Sequence, residues 1–326
     1  MKNIAIVCGG YSGEFEISMQ SAALVKKSLN KQKYNGFLIL IEKEEWHYLA
    51  NDGSKSVVNK SDFTVSHNNS IIRFDGVFNA IHGTPGEDGK LLGYFDMLQI
   101  PYTSSSADTS ALTFNKFHCN AFVSSYGVNI AKSLSFSRSE SIDNKFIIEK
   151  LGLPVFVKPV RSGSSVGVTK VKNIEQLSEA LSIAFKVDSR ILIEEFIDGR
   201  EIDCGVLKDG KQLVVLPLTE IISKNEFFDF EAKYDSRLAD EICPAENMPE
   251  EVEDDIKALS SFLFNQLDCS GFVRFDYILT NDNLYFIEVN SVPGISETSI
   301  MPKMAKAYGY SLEEFFDIIV DAMFTN

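Results

Sequence analysis

The first hundred residues alternate short apolar runs with helical periodicity, and this alternation limits the possible folds more than any other feature of the chain. A helix is predicted from about Glu16, with a core-facing stripe that includes Ala22 and Val25, and a second helix begins near Leu91. Three apolar runs have the length of buried parallel strands, namely Ile4–Cys8, Phe37–Ile41 and Val77–Ile81. The pattern predicts a doubly wound α/β domain, in which ligands bind at the carboxyl ends of the strands.

The pattern changes after a Ser/Thr-rich turn between Tyr102 and Ser110. Beyond it, strands lie next to one another, joined by loops and flanked by helices, which is typical of an α+β unit. A polar stretch from Ser223 to Glu241 has no sustained periodicity and is interpreted as a mobile loop. We therefore predict three domains, with boundaries at 1–103, 104–195 and 196–326.

The charge of the chain excludes several classes of partner. Asp plus Glu number 46 and Lys plus Arg number 31, so the formal net charge is −15. Such a chain repels phosphate backbones and anionic lipids, and we expect neither a nucleic acid nor a membrane as its partner. Five scattered cysteines without a CxxC pair argue against a disulfide framework or a zinc cluster. With no signal-peptide core or membrane-length apolar run, we expect a cytoplasmic protein.

The strongest chemical signal lies in a predicted hairpin near the C-terminus. Arg274 and Asp276 are two residues apart on its first strand, and Glu288 and Asn290 are two apart on its second. Residues two apart on a strand share a face, so pairing of the strands would gather hard oxygen ligands of the kind magnesium prefers. The alternative is a polar, exposed strand face balanced by Arg274.

A second signal is the serine- and glycine-rich segment that follows Lys158. Residues 161–167 read RSGSSVG between two predicted strands, and such a loop can wrap phosphate oxygens with its N–H groups and hydroxyls. It is not a Walker A loop, because no GK[ST] precedes a helix. An ordinary surface loop is the alternative.

A third segment, IEEFIDGRE at 193–201, leaves an apolar strand through two acids and an aromatic residue. It could be an adenine hinge, with backbone groups bonding the base, Phe196 and Ile197 flanking it, and Glu201 accepting from the ribose. The alternative is a strand that simply ends in acidic residues.

The remaining candidates are single residues beside glycine-rich turns. Glu16, after Gly9-Gly10, could pair with a substrate ammonium, and His82, at a strand end, could meet a substrate carboxylate or be purely structural. Ser299 suits the N-cap of a helix whose first turn includes Pro302, and such an end can bind a carboxylate. A plain capped helix is the alternative there.

Together these segments resemble, in order and over nearly the whole chain, the D-alanine–D-alanine ligase family of ATP-grasp enzymes. The resemblance implies an ATP-grasp fold with an N-terminal doubly wound domain and with ATP held between the second and third domains. It is carried by the segments CGGYSGEFEIS, HGTPGEDG, VKPVRSGSSVGV, EEFIDGREID, FEAKY, CPA, GFVRFDYIL and FIEVNSVPG.

The resemblance also implies which residues bind the nucleotide and the metal. Two magnesium or manganese ions would be held by Asp276, Glu288 and Asn290. The residues implied to contact ATP are Lys116, Lys158, Ser164, Ser165, Glu194, Glu195, Ile197, Glu201 and Lys233.

Further residues are implied to bind the amino acids and to act in catalysis. Glu16 would take the ammonium of the first D-alanine, and His82 would lie near its carboxylate. Arg274 and the Gly294 amide would form an oxyanion hole. The carboxylate of the second D-alanine would be bound by Ser299, the Ile300 amide and Lys233, and the trio that closes the loop 223–241 as a lid would be Ser164, Tyr234 and Glu16.

The implied activity is the joining of two D-alanines, through an acyl phosphate, for peptidoglycan precursors. D-lactate and D-serine remain alternative second substrates, although Tyr234 favours D-alanine over D-lactate because depsipeptide-forming relatives usually carry Phe there. A nucleotide-binding sensor without turnover is the alternative from another class. Relatives are commonly dimers, so a homodimer is expected.

Overall fold

The computed structural model describes residues 1–223 and 239–325 and contains three β-sheets with helices packed on them. In the first sheet β1 lies between two parallel partners, β2 and β7, and the order is β6-β5-β4-β3-β2-β1-β7. Its strands are β1 (Lys2–Gly9), β2 (Tyr34–Ile41), β3 (Trp46–Leu49), β4 (Lys55–Asn59), β5 (Thr64–His67), β6 (Ser70–Ile72) and β7 (Gly76–Asn79). Helices α1 (Phe15–Ser28) and α2 (Lys90–Met97) follow β1 and β7.

The predicted strand–helix alternation is confirmed for β1, α1, β2, β7 and α2. Ala22 and Val25 of α1 are fully buried, as the helical periodicity predicted. The sequence did not predict the antiparallel extension β3 to β6, which makes the first sheet mixed rather than wholly parallel. These strands are short and largely polar on one face, so they lack the apolar runs that marked the others.

The second sheet is antiparallel, with the order β10-β9-β11-β8. Its strands are β8 (Ser133–Ser137), β9 (Val155–Pro159), β10 (Thr169–Val171) and β11 (Arg190–Glu195). The serine–glycine loop extends beyond residue 167, since strand β10 begins only at Thr169. The helices of this region are α3 (Ala107–Phe114), α4 (Lys116–Ser124), α5 (Asn144–Leu151) and α6 (Leu177–Val187).

The third sheet has the order β15-β14-β12-β16-β17, with β13 paired to the far end of β12. Its strands are β12 (Arg200–Asp209), β13 (Gln212–Val215), β14 (Thr219–Ser223), β15 (Ala239–Ile242), β16 (Phe272–Leu279) and β17 (Leu284–Asn290). Three helices accompany it, α7 (Glu250–Gln266), α8 (Ile300–Tyr308) and α9 (Leu312–Ala322). The predicted hairpin is thus β16–β17, antiparallel and adjacent.

A single hydrophobic cluster joins the first sheet to the C-terminal part of the chain. Ile4 and Val25 belong to the same cluster as Phe316 and Val320 of α9. Polar contacts reinforce this junction, since the Lys33 ammonium lies 3.1 Å from an Asp317 carboxylate oxygen on α9. The described residues include no helix that is both long and apolar enough to cross a bilayer. The predicted boundaries at 103 and 195 fall between the sheets and remain predictions.

Candidate active site

Two cavities lie side by side where the loops of the three sheets converge. The larger, about 540 Å³, lies between the second and third sheets, and the smaller, about 100 Å³, is lined by residues from both ends of the chain. Ser164 of the serine–glycine loop lines both cavities. The loop therefore stands at their common boundary.

The β16–β17 hairpin spans the same boundary. Asp276 pairs directly with Glu288 across the two strands, and Arg274 pairs with Asn290. Asp276 and Glu288 line the large cavity, whereas Arg274 and Asn290 line the small one. Because residues two apart on a strand share a face, one face of the hairpin lines both cavities.

Arg274 is held between two carboxylates. Its Nε lies 2.7 Å from Asp276 Oδ1 and 3.1 Å from Asp203 Oδ2, and its Nη2 donates to Asp276 Oδ2 at 2.8 Å. Burial alone would lower the pKa of Arg274, but Asp203 and Asp276 raise it well above its ordinary value. A permanently charged donor is therefore fixed at the wall of the small cavity.

The oxygen atoms of the hairpin fit a divalent metal ion. Directly opposed residues of an antiparallel pair have Cβ atoms about 5 Å apart, so the carboxylates of Asp276 and Glu288 are close enough to share an ion. Asn290 donates its Nδ2 to Asp276 at 3.0 Å. Because this bond uses the amide nitrogen, the amide oxygen can still serve as a metal ligand. Two carboxylates and an amide are ligands that suit Mg²⁺ or Mn²⁺. Within residues 1–223 and 239–325, no group of three or more His, Cys, Asp or Glu side chains is arranged to hold a metal ion, so further ligands would come from phosphate and water.

Two lysines bring positive charge to the large cavity, and each is paired with a glutamate. Lys116 Nζ lies 2.9 Å from Glu288 and donates to the Ser162 carbonyl at 2.7 Å. Lys158 Nζ lies 2.5 Å from Glu194, which also accepts from Asn120 Nδ2 at 3.1 Å. The four side chains are 8–20% exposed, so these pairs hold the lysine side chains in fixed positions.

The hinge segment crosses the far end of the large cavity. The Glu195 side chain points away to Lys132, whose backbone N–H donates to it at 2.9 Å. The Ile197 N–H has no hydrogen-bond partner among the described residues. Phe196 lines the cavity with the Lys170 ammonium 3.6 Å from its ring centroid, and Glu201 lines it too. This segment therefore brings the Ile197 backbone, the Phe196 ring and Glu201 to the large cavity.

The serine–glycine loop packs tightly against Glu14, the residue that precedes α1. Ser164 and Ser165 have positive φ angles of 47° and 57°, which are uncommon for residues other than glycine. Ser164 Oγ donates to a carboxylate oxygen of Glu14, and a Cβ on Gly163 would lie 2.5 Å from the other oxygen. Local strain and close approach here indicate that the loop conformation is set by this contact.

The prediction that Glu16 makes this contact is wrong. Glu14 is the last residue before α1 and is 8% exposed at the small cavity, whereas Glu16 lies in the first helical turn with an exposed side chain. Glu16 therefore lies on the solvent-exposed side of the first turn, whereas Glu14 precedes that turn and reaches the loop. The acidic residue that contacts Ser164 is therefore Glu14.

His82 lines the small cavity as predicted, but both of its ring nitrogens have protein partners. Nδ1 lies 2.9 Å from the Val292 carbonyl and Nε2 lies 3.1 Å from Ser21 Oγ. Burial lowers the pKa of His82, although nearby Glu14 acts in the opposite direction, so the ring is neutral near pH 7. His82 links the first domain to the loop after β17, and its predicted contact with a carboxylate remains a prediction.

Glu87 makes a second link across the same junction and was not predicted. It accepts from the Gly83 N–H at 2.6 Å and the Val292 N–H at 3.3 Å. Burial, with Glu14 adding to it, raises the pKa of Glu87 to about 8. Glu87 is thus a buried, protonated acid beside the small cavity at neutral pH.

The start of α8 closes the other side of the small cavity. Ser299 is the N-cap residue as predicted, but its Oγ accepts from the Ser296 N–H at 3.0 Å and makes no bond to its own helix. Gly294 and Ile300 also line this cavity. The first turn of α8 therefore faces the small cavity with its N–H groups uncapped by Ser299.

Two predicted site residues cannot be located, and one further residue at the site was not predicted. Lys233 and Tyr234, and most of the predicted loop 223–241, lie outside the described residues. Asp203 was not predicted, because it reaches Arg274 only through the pairing of β12 with β16.

Comparison with known proteins supports one family over the full chain. Residues 3–105 match the family model described as D-ala D-ala ligase N-terminus, and residues 122–321 match the one described as D-ala D-ala ligase C-terminus. The chain is 43% identical over 325 residues to the D-alanine–D-alanine ligase of Azobacteroides pseudotrichonymphae, covering 99% of this chain and 100% of that protein. It is 40% identical to that of Bacteroides fragilis, covering 99% of each.

The chain belongs to the D-alanine–D-alanine ligase family. Solved structures of the family agree with the ATP-grasp fold and its N-terminal domain. The VanG D-Ala:D-Ser ligase from Enterococcus faecalis matches with a TM-score of 0.87 and 33% identity, covering 99% of both chains. The D-alanyl-alanine synthetase A from Vibrio cholerae matches with a TM-score of 0.88 and 26% identity, covering 99% of this chain and 98% of that one.

Proposed function

We propose that this ligase joins two D-alanine molecules to D-alanyl-D-alanine at the expense of ATP, releasing ADP and phosphate, for peptidoglycan precursors. One observation carries the proposal: the β16–β17 hairpin presents Asp276 and Glu288 to the large cavity and Arg274 and Asn290 to the small one. Metal-binding oxygens and an anion-stabilising arginine thus stand on either side of one boundary, where a phosphoryl group would meet a carboxylate.

The large cavity would hold the nucleotide. The Ile197 N–H would bond adenine, Glu201 the ribose, and Lys116, Lys158 and the serine–glycine loop the phosphates, with Lys233 as a further predicted contact. Asp276, Glu288 and Asn290 would hold Mg²⁺ or Mn²⁺, two ions in the predicted arrangement. When bound, the metal would neutralise charge on the phosphoryl oxygens.

The small cavity would hold the amino acids. Glu14 takes the role predicted for Glu16, accepting from the ammonium of the first D-alanine, while Ser164 ties that carboxylate to the loop. The carboxylate of the first D-alanine attacks the terminal phosphoryl group, giving an acyl phosphate and ADP. This intermediate hydrolyses readily, so a loop folded over the boundary protects it.

The second step needs an oxyanion donor and a place for the second carboxylate. The amine of the second D-alanine attacks the acyl carbon, and phosphate then leaves. Arg274 and the Gly294 N–H would stabilise the tetrahedral oxyanion, a contribution of about 3 kcal/mol per donor. Ser299 and the Ile300 N–H would bind the second carboxylate at the start of α8.

Phosphate release with ATP and Mg²⁺ tests the proposal directly. D-alanine should stimulate release and L-alanine should not, and the product should be D-alanyl-D-alanine by mass spectrometry. Absence of phosphate release with D-alanine would favour a nucleotide-binding sensor. Because one solved relative is named a D-Ala:D-Ser ligase, D-serine and D-lactate belong in the same assay as second substrates.

We place the reaction in the cytoplasm, where ATP is available. All five cysteines are free thiols, four of them buried, which fits a reducing compartment. A homodimer remains a prediction, and gel filtration with light scattering would test it.

A further inference from the structure

A second concave surface lies outside the two cavities of the active site. This basic groove, about 510 Å³, is lined by Arg138, Arg161, Arg190 and His118, together with serines and one asparagine. No acidic side chain lines it among the residues the structure describes. In a chain with a net charge of −15, three arginines around one concavity concentrate positive charge where the rest of the protein is negative.

Among the residues that the structure describes, the arginines of the basic groove form a single ion pair, between Arg161 and Asp188. Arg138 donates Nη2 to the Phe185 carbonyl, which fixes its position without cancelling its charge. Arg190 lies with its guanidinium 5.7 Å from the centroid of the Phe117 ring. Arg161 has its nearest carboxylate, Asp188, at 4.0 Å, the outer limit of an ion pair. That carboxylate is instead bonded by the Arg161 backbone N–H at 2.9 Å.

The chemistry of the lining specifies the ligand class. Guanidinium groups match the oxygen geometry of phosphate with paired N–H donors, and neighbouring hydroxyls can add further bonds. The groove is concave and of limited size, and the acidic chain around it repels an extended polyanion. We propose that the basic groove binds a small phosphate-bearing anion.

The basic groove is connected to the nucleotide cavity through adjacent residues. Asn115 and Arg161 line the groove, while their chain neighbours Lys116 and Ser162 line the large cavity. The two segments are bonded to each other, since the Lys116 N–H donates to the Val160 carbonyl at 3.1 Å. An anion in the groove would therefore contact the base of the serine–glycine loop from the side opposite the nucleotide.

Titration calorimetry with inorganic pyrophosphate tests this site. The full chain is titrated at constant ionic strength with Mg²⁺ and saturating ADP, which together fill the nucleotide cavity, and the heat of mixing pyrophosphate with the same Mg²⁺ and ADP solution is subtracted. The wild-type chain should still bind pyrophosphate, and Arg161→Gln should weaken binding by about tenfold or more, because a charge-assisted bond is lost. Arg73 is exposed and lies far from the groove in sequence and sheet position. Arg73→Gln should therefore bind pyrophosphate as tightly as the wild type does.

A second variant guards against a folding defect. Arg138→Gln/Arg190→Gln should lose binding to at least the same extent while keeping the wild-type melting temperature within a few degrees and its affinity for ADP. Glycerol 3-phosphate in the same assay distinguishes a site for phosphate esters from one for inorganic polyphosphates, and binding of either supports the proposal. No binding by wild type in the presence of ADP, or equal binding by all variants, would overturn it. Ligase activity is not part of the readout, so this result is independent of the proposed reaction.

Discussion

Glu14 and Glu16 provide a matched pair of glutamates for testing the proposed substrate site. Glu14 is buried at the small cavity and bonded to Ser164, whereas Glu16 is exposed two residues further on. Glu14→Gln keeps the size and an acceptor oxygen but removes the charge that an ammonium group needs. A hydrogen bond between charged groups contributes about 1.5–3 kcal/mol, which corresponds to about a 10- to 150-fold fall in kcat/KM for D-alanine.

Glu16→Gln is the control, because an exposed substitution away from the site changes free energies by about 0.5 kcal/mol or less. Both variants are assayed by phosphate release over a range of D-alanine concentrations at saturating ATP. Their melting temperatures are compared to exclude loss of fold. If Glu16→Gln loses more activity than Glu14→Gln, the assignment from the structure is refuted and the original sequence prediction stands.

Three further substitutions address the electrostatics and the loop. Arg274→Ala should lower the free energy of unfolding by about 3–5 kcal/mol in chemical denaturation, because it leaves buried carboxylates unpaired. Arg274→Lys is therefore the better probe of the oxyanion role. It should lower kcat with little change in melting temperature. The wild-type chain should lose stability as pH rises from about 5 to 8, because the folded pKa of Glu87, about 8, lies above the unfolded value and the native state keeps a proton that the unfolded chain releases. Glu87→Gln should abolish this pH dependence in chemical denaturation. Gly163→Ala should reduce ligase activity, since its Cβ would press on Glu14, whereas Gly13→Ala, with open space around it, should not.

The parts of the fold that the sequence predicted are those with a strong local signal. Strand β1 and helix α1 were predicted because burial on both faces gives continuous apolar runs and a clear helical stripe. The extension β3 to β6 was missed, since its strands are short and mix polar with apolar residues. What decides those strands is pairing with an existing sheet edge, which no single segment reveals.

The same distinction applies to the site. The pairs Arg274–Asp276 and Glu288–Asn290 could be predicted because a spacing of two on a strand has only one geometric meaning. Glu14 and Glu16 both occur in one motif, and only the exact start of α1 determines which one faces the loop. Asp203 and Glu87 reach the site through contacts with distant parts of the chain. No periodicity could have indicated them.

The charge balance of the nucleotide cavity leads to a last prediction. Within the described part of the chain, the charged residues that line this cavity are three cations and seven carboxylates, namely Lys116, Lys158 and Arg200 against Glu194, Glu195, Asp198, Glu201, Glu220, Asp276 and Glu288. Three positive charges against seven negative charges leave a net charge of −4. A polyphosphate should therefore bind weakly unless divalent cations accompany it.

Glu288→Gln tests this reasoning without relying on turnover. Removing one negative charge beside Lys116 should raise the affinity for ATP measured with a chelator present by about tenfold, because the lysine is released from its ion pair. The same change should lower the gain in ATP affinity on adding Mg²⁺, since one metal ligand is lost. Glu241 lines the small cavity and forms an ion pair with Lys303. Glu241→Gln is therefore the matched control and should leave the ATP affinity unchanged both with and without Mg²⁺. Unchanged metal-free affinity in Glu288→Gln would show that the pairing with Lys116 does not limit nucleotide binding, and the electrostatic account would fail.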